Sequence, residues 1–153
     1  MKRIYIIALF ITLCTGIMSA QATIFDRYAD TDGVTTVYIS KAMLRMMPDI
    51  GEGAGGLKIG EIASKLDNLQ VLTCERKALI PKIMKETTAQ TSKGYEILVK
   101  VNECGEKTDI FQKSLGNNKM EYLIRVSEPS ELTLIQITGN ITPDDIRKMT
   151  SGK

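Results

Sequence analysis

Histidine is absent from this 153-residue chain. Its absence excludes Ser-His-Asp and Cys-His catalysis in their usual forms, imidazole zinc ligands, and the commonest general base near neutral pH. Tryptophan is absent as well, and only six aromatic residues lie beyond residue 22. That scarcity weighs against a sugar-binding surface built on aromatic platforms. Cysteine occurs three times, as Cys14, Cys74 and Cys104, with no C-x-x-C spacing to suggest a dithiol redox centre. Neither G-x-S-x-G nor S-x-x-K occurs, so the familiar serine nucleophile motifs are missing.

One long apolar run is present, at the very start. Met1-Lys2-Arg3 is basic, Ile4 to Met18 is almost wholly apolar, and Ser19-Ala20-Gln21-Ala22 supplies small residues at cleavage spacing. Residues 1–22 are therefore expected to be a secretory signal peptide. The run is too short for a membrane span, which needs about 20 apolar residues, and no basic stop-transfer cluster follows it. Cleavage is expected before Thr23, with a cut after Ala20 as the alternative. Leu13 stands where a lipoprotein signal needs a small residue, so Cys14 reads as part of the discarded segment. Removing Lys2 and Arg3 leaves eighteen basic against eighteen acidic residues, a net charge of zero. A nucleic-acid partner is thus not indicated, since such binders carry a basic excess. Export places the protein in the periplasm or cell envelope. Residues 23–153 are long enough for a single domain with its own core.

Along that remainder, 25–33 reads as a polar lead-in. Val34–Ile39 is a β-branched strand, and Ser40 caps a helix through KAMLRMM. Met43, Met46 and Met47 fall on one helical face and are read as core. Pro48 ends the helix. Ile59, Ile62, Ala63 and Leu66 carry helical spacing, Leu69–Glu75 reads as a strand, and 76–91 as a helix that Pro81 kinks or starts. Four strands follow. In the first, Tyr95, Ile97, Val99 and Val101 form an inward face. The last, Leu132–Thr138, is the most apolar and is expected near the sheet centre. Thr142-Pro143-Asp144-Asp145 opens a final helix, with Asp145 as the acidic member of a capping box. The order predicts an α+β fold: one mainly antiparallel sheet of about five to six strands, helices packed on one face, the other face largely polar and free to meet a partner.

Three segments, Val37-Tyr38-Ile39-Ser40-Lys41-Ala42-Met43, Leu72-Thr73 and Ile137-Thr138-Gly139-Asn140-Ile141, carry a resemblance that spans nearly all of the chain beyond residue 22. In order and spacing it resembles the domain of unknown function 4252 family, small exported proteins of the Gram-negative envelope. The resemblance implies no activity and no functional residue. Its association with genes for extracytoplasmic sigma factors implies a role in envelope signalling or stress.

The remaining motifs are weak. Gly51-x-Gly53-x-x-Gly56 matches the dinucleotide-binding pattern but follows a helix and a proline where that motif needs a strand. With Gly55 it reads as a flexible loop, and no cofactor is implied. Cys74 and Cys104 could form a disulfide if their strands are parallel neighbours, and could not if other strands intervene. Asn140-Ile141-Thr142 matches a glycosylation acceptor but is explained by the helix cap. The reading is a non-enzymatic envelope protein that binds a protein partner or small ligand through the open sheet face or the Gly51–Gly56 loop. A regulatory role in sigma-factor signalling and a small carboxylate-dependent hydrolase are the alternatives. Exposed Leu72, Leu98 or Leu123 would favour a protein partner; a pocket of converging acids would favour the hydrolase.

Overall fold

The computed structural model describes residues 23–46 and 62–150. Thr23 opens the first helix, α1 (Ile24–Tyr28), through a capping box: its hydroxyl accepts from Asp26 N–H at 3.3 Å while Asp26 Oδ2 accepts from Thr23 N at 3.1 Å. This segment was expected to be an irregular lead-in. Ile24, Phe25 and Tyr28 are instead its buried face, too short a pattern for periodicity to reveal. Strand β1 (Val34–Ser40) leads directly into α2 (Lys41–Met46), where Ser40 Oγ accepts from Met43 N–H at 3.3 Å, as its capping position predicts. The methionine stripe is not core: Met43 and Met46 are exposed, and Leu44 is the residue α2 buries. Met47, Pro48, the 49–56 glycine-rich stretch and Ile59 lie outside the described residues.

Of the helix expected around 59–66, the described residues from 62 onward form only a 3-10 turn (Ala63–Lys65), which delivers the chain into β2 (Leu66–Cys74). Helix α3 (Ile80–Thr91) carries Pro81 in its first turn, where a missing N–H costs nothing. Strands β3 (Glu96–Glu103), β4 (Glu106–Gly116), β5 (Lys119–Ser127) and β6 (Leu132–Gly139) follow, then α4 (Pro143–Thr150). The β3–β4 turn holds Cys104 and Gly105 at φ 48° and 89°, and the β4–β5 turn holds Asn117 and Asn118 at 52° and 60°. Consecutive positive φ values are what a twisted two-residue hairpin requires.

The six strands form one antiparallel sheet in the order β1-β2-β6-β5-β4-β3, an α+β arrangement. β6 lies inside it, as its apolar run predicts. The ladder assigns the two faces. Leu69, Ile137 and Tyr122 share one face with Val71, Ile135, Ile124 and Ile110, and they pack with Leu44, Ile62, Ile141 and Ile146 from α2, the 3-10 segment and α4. Leu72, Cys74, Leu132, Leu134, Leu123 and Phe111 share the other with α1 and with Ile83 of α3. Helices therefore serve both faces, a correction to the one-sided packing expected. The strands β5 and β6 read as apolar on alternate and intervening positions because both of their faces are covered.

Candidate functional site

The second face divides into a covered and an open end. At the covered end, Arg125 donates through Nε (3.1 Å) and Nη2 (2.6 Å) to Asp109 Oδ2 and through Nη1 (3.1 Å) to Thr88 Oγ1 on α3. Both charged side chains are about nine-tenths buried, and the guanidinium lies 5.3 Å from the Phe111 ring centre. Beyond Leu123 the face turns polar. Register sets Tyr38, Gln70 and Gln136 side by side, with Ser40, Asn68, Thr138, Glu121 and Lys113 in the next row.

In that second row Glu121 is the hub. It accepts from Tyr95 Oη and, at 2.7 Å, from Gln136 Nε2, while Gln90 of α3 reaches Tyr95 Oη at 3.5 Å. Burial, and then the carboxylate it donates to, push the Tyr95 phenol far above its ordinary value. Tyr95 is thus a permanent donor, and Lys113 stands 5.3 Å over its ring. The cluster can hold and orient a polar group. It offers no activated nucleophile. Gln136 is 8% exposed, and among the described residues its Oε1 has no hydrogen-bond partner. The sequence carried one signal for this site, the glutamine interrupting the apolar run Leu132–Thr138.

Beside it, at the β1 edge, a cavity of ≈ 460 Å³ opens between α1 and the sheet, lined by Phe25, Asp26, Ala29, Thr36, Val37, Tyr38 and Gln70. The other acids sit apart from one another. Asp67 bridges Lys41 (2.6 Å) and Lys119 (2.5 Å), which hold its carboxyl below the usual range. Asp145 accepts from Thr142 N at 2.9 Å and from Lys65 Nζ at 2.9 Å, and those bonds bring it down to about 2. Among the described residues no three His, Cys, Asp or Glu side chains gather into a metal site.

Cys74 is buried at the end of β2, and Cys104 is exposed in the β3–β4 turn; both thiols are free. Their strands run parallel, but β6, β5 and β4 lie between them, a separation of roughly 19 Å at about 4.8 Å per strand. The conditional disulfide therefore does not form within the chain. Gly51, Gly53, Gly55 and Gly56 lie outside the described residues. Leu72 and Leu123 are fully buried and Leu98 is half-buried against the core, so none is the exposed marker anticipated. Solvent-facing apolar side chains sit at the sheet edges instead: Val37, Tyr38, Met43 and Met46 at one, Ile97, Val99, Val101 and Leu115 at the other.

These features define an α+β domain in which Asp67, Asp109 and Asp145 are each held in a separate ion pair. The chain belongs to the family described as domain of unknown function (DUF4252), whose model matches residues 28–149. No curated protein matches it. Among solved structures, PA94 from Pseudomonas aeruginosa, a protein of unknown function named as a suggested regulator, aligns over 74% of this chain and 72% of its own at 10% identity. The TM-score of 0.32 is too low for that likeness to bear on fold or function. Among the described residues no helix is long and apolar enough to cross a membrane.

Proposed function

We propose that this is an exported, non-enzymatic envelope protein that binds another protein through the outer side of β3. The observation carrying the reading is the set of solvent-exposed apolar side chains there: Ile97, Val99 and Val101 are 53%, 42% and 44% exposed, and Leu115 on β4 is 45% exposed. Apolar side chains framed by charges, here Glu96, Lys100 and Glu103, are the composition of a recognition patch. The separate structural roles of Asp67, Asp109 and Asp145 support the non-enzymatic half of the reading. The basic-apolar-small layout of residues 1–22 supports the export half.

A photo-crosslinking side chain placed at Val101 in cells should yield a discrete envelope adduct that Val99→Lys removes. The same probe at buried Leu123 should yield none. N-terminal sequencing of the periplasmic form should begin at Thr23. The reading falls if no edge position cross-links while the purified protein turns over an ester or glycoside and loses that turnover on Glu121→Gln.

A further inference from the structure

The two edges of the sheet are built differently. β3 carries three charges and a register break between Ile97 and Val99, devices that keep an exposed edge from accepting another strand. β1, with the sequence VTTVYIS, has no charge and no proline, and it pairs with β2 through seven consecutive partners without a break. Its outer backbone groups have no ladder partner among the described residues. An unbroken, uncharged, β-branched edge of this kind accepts a strand readily.

We infer that β1 is a self-association edge: it pairs antiparallel with β1 of a second copy about a two-fold axis at Val37, giving a twelve-stranded sheet. Charge selects this occupant. Asp30 and Asp32 are exposed just before β1, and Lys41 and Arg45 are exposed just after it. Lys41 shares Asp67 with Lys119, so among the described residues that end keeps a net positive charge. Arg76 packs against Gly33 at the start of β1, and with Glu75 and Lys77 counted among the described residues there, three acids against two bases still leave that end negative. Antiparallel pairing sets the acidic end of each copy against the basic end of the other, whereas a parallel pair would set like against like.

Centring on Val37 uses all seven residues. Val37 meets the partner's Val37, and Thr36 meets the partner's Tyr38. Tyr38 is 63% exposed, and it lines the ≈ 460 Å³ cavity beneath α1 together with Thr36. Each phenol ring, at the rim of its own cavity, thus meets Thr36 at the rim of the other copy's, an aromatic on a β-branched neighbour. Seven paired residues alone fall short of the roughly 800 Å² per partner of a stable interface, so the dimer is a weak one, dissociating on the order of 10 μM.

Analytical ultracentrifugation of protein expressed from the full reading frame, with Cys104→Ser removing the exposed thiol, tests this. A concentration-dependent monomer–dimer equilibrium is expected. Val37→Lys, which faces two ammonium groups at the axis, should weaken it at least tenfold with an unchanged circular dichroism spectrum, and Val99→Lys should leave it intact. In the same background Val37→Cys should oxidise to a covalent dimer, because directly opposed residues have Cα atoms about 4.5–5.5 Å apart, and Thr35→Cys should not. A protein that stays monomeric throughout, a dimer sensitive to Val99→Lys and not Val37→Lys, or equal cross-linking at both cysteines overturns the inference. Each of those results leaves the β3 reading to stand or fall on its own experiment.

Discussion

At the scale of single residues, the molecule's largest local commitment is the buried pair of Arg125 and Asp109. Two charges withdrawn from water are stable only while each satisfies the other, and here Thr88 takes up one of the remaining guanidinium donors. Arg125→Met alone should leave a buried carboxylate without its cation and lower stability by about 3–5 kcal/mol in urea titration. Arg125→Met with Asp109→Leu should recover most of that loss; a double variant no better than the single would show that the pair is not the cause. Asp145 acts with the opposite dependence on its surroundings, through pH. Its folded value of about 2 lies below the ordinary 3.8, so the folded state binds fewer protons between those limits. Its contribution is complete above about pH 4 and is lost as pH falls through 2. Because Lys65 is 46% exposed, the effect is discounted to about 1–2 kcal/mol. Melting temperature should fall more steeply from pH 5 to 2 in the natural protein than in Asp145→Asn; equal slopes would refute this.

Between elements, the junction of β6 with the 3-10 segment is the closest approach at any described glycine. A Cβ on Gly139 would stand 2.3 Å from Lys65 O and 2.9 Å from Leu66 Cα, and Asn140 N donates to that same Lys65 O at 2.9 Å. Nearby, Tyr122 Oη donates to Ile141 O at 3.2 Å. The Ile137–Ile141 segment that marks the family resemblance is thus a close-packed corner, and the glycine is there for space. Gly139→Ala should cost about 3 kcal/mol by forcing β2 and β6 apart. Gly116→Ala, at φ 81° with nothing within 4 Å, should cost about 1 kcal/mol from backbone strain alone. Equal losses in thermal denaturation would mean that crowding at Gly139 relaxes freely.

For the whole molecule, much of the fold was legible. Strand order along the chain, the Ser40 and Thr142 caps, the Pro81 helix start and the interior position of β6 all follow from local chemistry that tertiary packing leaves intact. The misreadings have physical causes. Tyr95, Ile97, Val99 and Val101 alternate as an inward face would, but the bulge between Ile97 and Val99 splits them, pairing Ile97 with Phe111 on one sheet face and Val99 with Ile110 on the other, and on this edge strand all three β3 side chains are left exposed. Periodicity placed three methionines inward, whereas the short α2 buries only Leu44. The Tyr95–Glu121–Gln136 cluster was nearly invisible, because it assembles from β5, β6 and the residue just before β3, and its members are ordinary surface residue types.

The sheet order carries one further consequence, for assembly in time. Strands β3 to β6 are successive neighbours joined by short turns, while β2 finds β6 only across the whole interval from residue 74 to 132. Closing that interval is the slow entropic step, so the C-terminal meander should form first and serve as the template for β2 and then β1. Pulsed hydrogen exchange should protect β4 and β5 amides before those of β1; simultaneous protection would refute the order. Because a ribosome releases the N-terminus first, β1 is then the earliest strand made and the last one paired. The uncharged segment Val34–Ile39 spends the longest time without a partner of any described strand, and is where a chaperone would be needed most.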